Sequence, residues 1–428
     1  MRGEPSGGSN RAARSGDRKD RERSISDTYA RTGARRIEGA RAWRLSGLSF
    51  ALFLPFGLYL PYFPVWLGAR GFSASEIATT LATPLILRVL LMPMIAYVAD
   101  RRGIAGTLAF CACVMAIGFF GLGFAHGFVL VFLGSVLAIS AQGSMPALAD
   151  ALSLAEIRRF EKIGLRRIQF GRIRVGASLG ALSTMLLSGA IVSVFPGERI
   201  ISALALLAIF PAVAAIATAL TMRRLRFDHS ARDGLTEDRQ ALPLAILVIV
   251  AAALVQASHA EIYAFGTLQW NAEGFTPGAV GLAWAIGVMS ESLLFIFGGP
   301  YIRGTRQALG LLILGAAGAI LRWLAMSMNP GAALVLALQI MHALSFAATY
   351  MGAVLMLGTL AGRNHRARMQ GWSSAAMALS TALATMACGR LTHLYGAGAY
   401  LAMAALAGVG LGLMLVAAIL HRRLAMPA

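Results

Sequence analysis

Several ionisable side chains stand inside long apolar stretches of this chain: Arg88, Asp150, His259, Glu261, Glu291, Arg322, His342 and Arg390. Their types define the available chemistry. Imidazole and carboxylate groups can take up and release protons, and a guanidinium can hold an anion through two parallel hydrogen bonds. If the stretches cross a membrane, each charge near the bilayer centre costs roughly 2.5–3.5 kcal/mol on insertion scales. Such groups must then face a cavity or one another. No Walker loop, dinucleotide fingerprint or metal-ligand cluster accompanies them, so no cofactor or metal is expected. Cys111, Cys113 and Cys388 lie in apolar surroundings and behave as small core residues.

The elements that carry these residues follow from composition. Hydrophobic residues make up 57% of 428 and charged residues 13%, too few charges to cover a soluble protein of this size. Apolar blocks of about 20 residues, the length that crosses roughly 30 Å of hydrocarbon as helix, recur from residue 45 onward. Twelve spans are predicted, at 45–68, 74–98, 104–124, 128–155, 168–195, 199–222, 242–270, 277–300, 307–328, 331–358, 369–393 and 397–420. The blocks are continuously apolar rather than alternating, which excludes membrane strands. A polar segment at 223–241 divides the chain into bundles at 45–222 and 242–420. Residues 421–428 form a cytosolic tail. Residues 1–44, with 12 Lys+Arg and 6 Asp+Glu, are expected as a disordered cytosolic tail or as residues ahead of the natural start.

The net charge of +19 would suit a nucleic-acid partner if it formed one patch. Instead the basic residues sit in every second connection. With the N-terminus cytosolic, 33 Lys+Arg fall on the inner side and 2 on the outer. Leaving out the tail, the count is still 21 against 2. The positive-inside rule therefore places both termini in the cytosol. The charge is a topology signal suited to an anionic inner leaflet, and no nucleic-acid partner is expected.

Depth can now be assigned. At about 1.5 Å per residue, His342 lies roughly 16 Å, Glu291 roughly 21 Å and Arg322 roughly 22 Å into three successive spans. All three occupy the middle region, where carriers bind substrate and coupling ions. Glu291 and Arg322 could alternatively form a static buried ion pair, and His342 a packing histidine. His259 and Glu261, two residues apart, point roughly 200° from each other, so only one can face a cavity squarely. Arg88 needs a partner: a carboxylate from the other half, an anionic substrate, or the interface by snorkelling. Asp150 and Arg174 (with Arg172) are placed as an inner ion-pair gate, and Asp100 with Arg101 as a brace of the inward loop. Tyr59, Tyr62, Phe63, Trp66, Gln142, Gln256 and Tyr263 either line a cavity or pack. Gly176, Gly180, Thr184 and Ser188 point to close helix packing.

Asp100-Arg101-Arg102-Gly103 resembles the D-R-x-G core of the loop signature of the major facilitator superfamily, with Ala96 where a Gly is usual. Residues 45–420 more narrowly resemble phenylpropionate permease-like transporters. The resemblance rests on Leu54-Pro55-Phe56, Tyr59 through Trp66, and Asp150-Ala151-Leu152. It continues in Gly171 and Arg174 followed by Ser178, His259, Glu291, Arg322-Trp323 and His342. In the stretch opening span five, Phe170, Gly176 and Ala177 replace the usual Tyr, Trp and Gly. The lactose permease-like proton symporters share the Glu/Arg/His arrangement but carry a carboxylate where this chain has Ser345. The resemblance implies an all-α polytopic fold of two six-helix bundles and proton-coupled import of an aromatic monocarboxylate by alternating access. It favours His259 over Glu261 in the site; Glu261 is left as a substrate contact or an outer-gate hydrogen bond. A proton-antiport exporter and a nucleoside or sugar symporter are the alternatives. No catalytic constellation marks an enzyme. The expected setting is the bilayer of a bacterial inner membrane, with a monomer taking up a small molecule and protons.

Overall fold

The computed structural model describes residues 9–161, 170–222, 242–298, 304–360 and 362–425, with side chains from Ile37 onward apart from Arg172, residues 361–367 and those after Arg422. The expected linker at 223–241 lies outside the described residues. Among the described residues twelve helices are long and apolar enough to cross a membrane, the last two running on as one 55-residue apolar stretch: α1 (Ser9–Ala69), α2 (Ala74–Arg102), α3 (Ile104–Leu122), α4 (Gly127–Glu161), α5 (Phe170–Val194), α6 (Ile200–Thr221), α7 (Leu242–Ala272), α8 (Pro277–Gly298), α9 (Thr305–Ser327), α10 (Ala332–Leu360), α11 (Gly362–Tyr395) and α12 (Ala399–Ala425). The last two meet only through a short 3-10 turn at Gly396–Gly398. Together they are far too long for one crossing; both pack on α7, but α11 also packs on α2 and α12 on α9.

Residues 9–44 depart from expectation. They continue α1 as helix instead of forming a disordered tail. The segment is rich in Arg and Ala, and no proline interrupts the chain between Pro5 and Pro55, so nothing breaks a helix propagating from the apolar part. Its inner end is also tied down. Glu38 is buried, and Arg41 reaches the buried Glu156 of α4 at 3.7 Å. For the same reason α4 runs on to Glu161, beyond the expected 155.

Local signals mark the turns. Ser73 and Glu76 form a reciprocal capping box at the start of α2. Thr276 caps α8 with Pro277 in its first turn. A single residue, Gly103, separates α2 from α3 at φ +95°. A side chain there would be strained, which is why the D-R-x-G loop ends in glycine.

The packing of the first six helices recurs in the second six. α1 packs on α5 and α6 as α7 packs on α11 and α12, and α3 packs on α4 and α6 as α9 packs on α10 and α12. The halves join through α2 against α11 and α5 against α8. Gly176 and Gly180 back onto the carbonyls of Ser46 and Phe50 in α1, so the small residues of α5 serve close packing as expected. Large apolar side chains such as Phe110, Leu133, Phe210 and Val213 are exposed on the outside. That outer surface suits hydrocarbon, not water.

The two ends of the described chain, Ser9 and Ala425, lie on one side, since an even number of crossings separates them. At the opposite end the seam between the halves is shut. Tyr62 donates its hydroxyl to the carbonyl of Pro277 at 3.0 Å. A Cβ on Gly189 would come within 2.9 Å of Gly278, and one on Gly389 within 2.8 Å of the Ala74 carbonyl oxygen. A cavity lies between the halves on the terminal side of this closure.

Candidate functional site

The cavity, about 470 Å³, is within the size range of small-molecule sites. Its wall is mostly aromatic and apolar. Phe53, Phe56 and Tyr59 come from α1; Tyr263, Trp284 and Phe346 come from α7, α8 and α10. Arg88 and Gln142 stand in the wall of the first half, and Glu291, Arg322, Gln339 and His342 in that of the second.

Arg322 is the hub. It is 1% exposed, and all its polar partners are neutral. Its guanidinium donates to His342 Nδ1 at 3.0 Å, Ser345 Oγ at 3.1 Å and Gln339 Oε1 at 2.6 Å. The cation also lies 4.7 Å over the Trp323 ring. Among the described residues no carboxylate pairs with it. Its Nε and the Nε2 of Gln339 are buried donors with no partner among the described residues. An unpaired buried charge is costly, and among the described residues no anion offsets this one.

The proton arrangement follows from donor rules. A guanidinium can only donate, so His342 Nδ1 must accept. The hydrogen of the neutral imidazole is then on Nε2, which faces Glu291 Oε2 at 3.3 Å. In the same way His259 points Nδ1 at the carbonyls of Val255 and Gln256, at 3.3 and 3.2 Å. Its Nε2 then accepts from Ser345, 3.1 Å away. Two directed paths therefore leave Arg322. One runs through Ser345 and His259 into backbone. The other runs through His342 and ends on Glu291, a carboxylate at the cavity wall.

Three expectations change in detail. Glu291 and Arg322 do not pair directly; His342 stands between them. His259 lies behind the wall, where Trp323 packs edge-on at 5.0 Å; it touches the site through Ser345. Glu261 is buried away from the cavity and accepts hydrogen bonds from Gln269 and from Thr392 of α11, both at 2.8 Å. The choice between His259 and Glu261 as the cavity-facing residue is thus replaced by Gln256 and Tyr263, which line it.

Arg88 has no carboxylate partner among the described residues. Its side chain lies beside Gly143 of α4, where a Cβ would stand 3.4 Å from Cδ. Asp150 and Arg174 do meet, as an ion pair between α4 and α5 at the terminal end. Arg101 covers the ring of Tyr97 on its own helix at 4.6 Å, and Asp100 beside it is half-buried.

Sequence reasoning passed over Gln339. The signal was its place three residues before His342, which puts both on one helix face. Also unforeseen were the π-helical turns Ile262–Gly266, Leu294–Gly298 and Ala343–Ala348. They follow directly after Glu261 and His342 and three residues after Glu291. Such turns loosen backbone bonding: the Phe346 carbonyl, inside one of them, accepts from Gln256 Nε2 at 3.0 Å.

Residues 42–419 match the MFS_1 like family. The chain belongs to that family. It is therefore a major facilitator transporter and an integral membrane protein, as its helices and relatives also indicate. The "Probable 3-phenylpropionic acid transporter" of Escherichia coli (strain K12) is 24% identical over 367 residues, covering 84% of this chain and 93% of that one. The crystal structure of the nucleoside transporter NupG is 18% identical, with a TM-score of 0.70, covering 89% of this chain and 98% of the other. A bacterial homologue of the human lysosomal transporter Spinster, in an inward-facing and unoccupied conformation, is 14% identical with a TM-score of 0.64, covering 89% and 96%. At these identities the two structures establish the fold alone.

Proposed function

We propose that this transporter imports an aromatic monocarboxylate together with a proton by alternating access. The observation that carries the reading is Arg322: a buried cation whose protein partners are neutral, facing a cavity walled by aromatic rings. The substrate carboxylate binds Arg322 beside Gln339, and its ring lies among Tyr263, Trp284 and the α1 aromatics. Glu291 takes the coupled proton. It is the one titratable end of the path through His342, because His342 cannot gain a second proton without losing its bond from Arg322. A carboxylate and a proton enter together, so the site changes little in net charge. Arg88 adds attraction for the anion from the other half.

With both termini cytosolic, as the charge distribution indicates, the shut seam faces outward and the structure is the inward-facing state. Rocking the halves about α2–α11 and α5–α8 would open the outer side. The protein acts as a monomer in a bacterial inner membrane and carries its solute unchanged rather than performing a reaction. The decisive experiment uses proteoliposomes with an imposed inward proton gradient. 3-Phenylpropanoate should accumulate with the wild-type chain and fail to do so with Arg322→Ala. Normal accumulation by that variant overturns the site. Gradient-driven depletion makes the chain an exporter.

A further inference from the structure

Gln142 of α4 is 6% exposed and stands in the cavity wall of the first half. Neither its Oε1 nor its Nε2 has a hydrogen-bond partner among the described residues. An amide buried without partners costs on the order of 1–3 kcal/mol. One such side chain, with both its donor and its acceptor unused, needs an explanation other than packing. Its neighbour Gly143 supplies the space into which the Arg88 side chain fits. The two adjacent positions therefore present an amide and a guanidinium from one wall. The anion-holding Arg322 and Gln339 stand in the opposite half.

We infer that Gln142 is a specificity-determining residue that recognises a hydroxyl group on the substrate's ring, at the end remote from its carboxylate. The inference rests on the proposed binding of the carboxylate at Arg322. The substrate class it defines is the ring-hydroxylated arylalkanoic acids. A hydroxyl matches the amide because it both donates and accepts. Its hydrogen goes to Gln142 Oε1, while its oxygen accepts from Gln142 Nε2 or Arg88. A second carboxylate at that end would only accept and would leave Oε1 unpaired. An unsubstituted ring would leave both amide atoms unpaired. Sites built to hydrogen-bond a substrate hydroxyl discriminate against analogues that lack it, because the buried protein groups are left bare.

The test is calorimetric titration of the purified full chain with three probes: 3-phenylpropanoate, 3-(4-hydroxyphenyl)propanoate and 3-(4-carboxyphenyl)propanoate. The wild type is expected to bind the hydroxylated acid about tenfold more tightly than the unsubstituted one. Gln142→Leu should bring the two within about twofold while keeping or improving the affinity for 3-phenylpropanoate, which also certifies its fold. Gln142→Met is titrated in parallel, since an unbranched side chain of similar length repacks most readily. Equal affinities in the wild type, or a preference that survives both substitutions, overturns the role of Gln142 while leaving the Arg322 site standing. Tightest binding of the doubly carboxylated acid overturns the hydroxyl assignment. Failure of the wild type to bind any of the three overturns the aromatic-acid reading and this inference together.

Discussion

The two six-helix halves share one packing scheme but not one chemistry. In both, the first helix packs on the fifth and sixth, and the third on the fourth and sixth. Among the described residues, every π-helical turn lies in the second half, each just after Glu261, Glu291 or His342. The second half also holds the Arg322 network. The first half contributes aromatic rings, Arg88 and Gln142 to the cavity, while its ion pairs, Asp150–Arg174, Arg41–Glu156 and Arg70–Glu198 among them, involve none of the cavity-lining residues. The common frame follows from how helices fill space. The chemistry depends on a few polar residues whose cost only one half has compensated with hydrogen bonds. On the proposed reading, carboxylate and proton handling centre on the second half, the ring hydroxyl is read by the first, and the aromatic wall is shared.

The largest expected effect is from Arg322. Replacing it by Ala should lower substrate affinity about a hundredfold or more, with insertion and folding intact by size-exclusion chromatography. A loss no larger than that at Arg88 would erase the contrast between the halves. Next comes Glu291→Gln, expected to reduce gradient-driven accumulation to simple equilibration while substrate exchange without a gradient persists. Retained concentrative uptake would move the proton site elsewhere. Arg88→Ala should weaken binding by about tenfold, with partial recovery in Arg88→Lys, because an accessory cation loses attraction but not the whole site. Gly389→Val should force α11 off α2 and lengthen spin-label distances across the shut seam. Unchanged distances would show that this contact does not govern closure. The smallest effect on transport belongs to Glu261→Gln. Substrate affinity should stay within about twofold, since the residue is outside the cavity, while the melting temperature falls by a few degrees from the altered bonds to Thr392 and Gln269.

Much of the fold was legible because the bilayer imposes one length on every crossing and penalises each stray charge. The twelve spans follow from that penalty alone, while the polar break expected at 223–241 lies outside the described residues. The same penalty exposed Glu291, Arg322 and His342, and the structure does bring them together. Rotation about each helix axis was not legible. Only one of His259 and Glu261 was expected to face a cavity, and the packing of α7 against α10 and α11 turned both away from it. Gln339, a polar residue in an apolar span, gains its role only from the position of Arg322 on α9, which donates to its Oε1.

The sequence by itself therefore determined which segments cross, how they divide into halves and which ionisable groups must be compensated inside the membrane, because these depend on composition summed over a span. The tertiary structure alone decided that His342 intervenes between Glu291 and Arg322, that Arg322 is left with neutral partners, and that Gln142 stands bare beside Arg88. Those outcomes depend on the angle at which each helix meets its neighbours. Helical spacing constrains such an angle within one helix but carries no information about it between two.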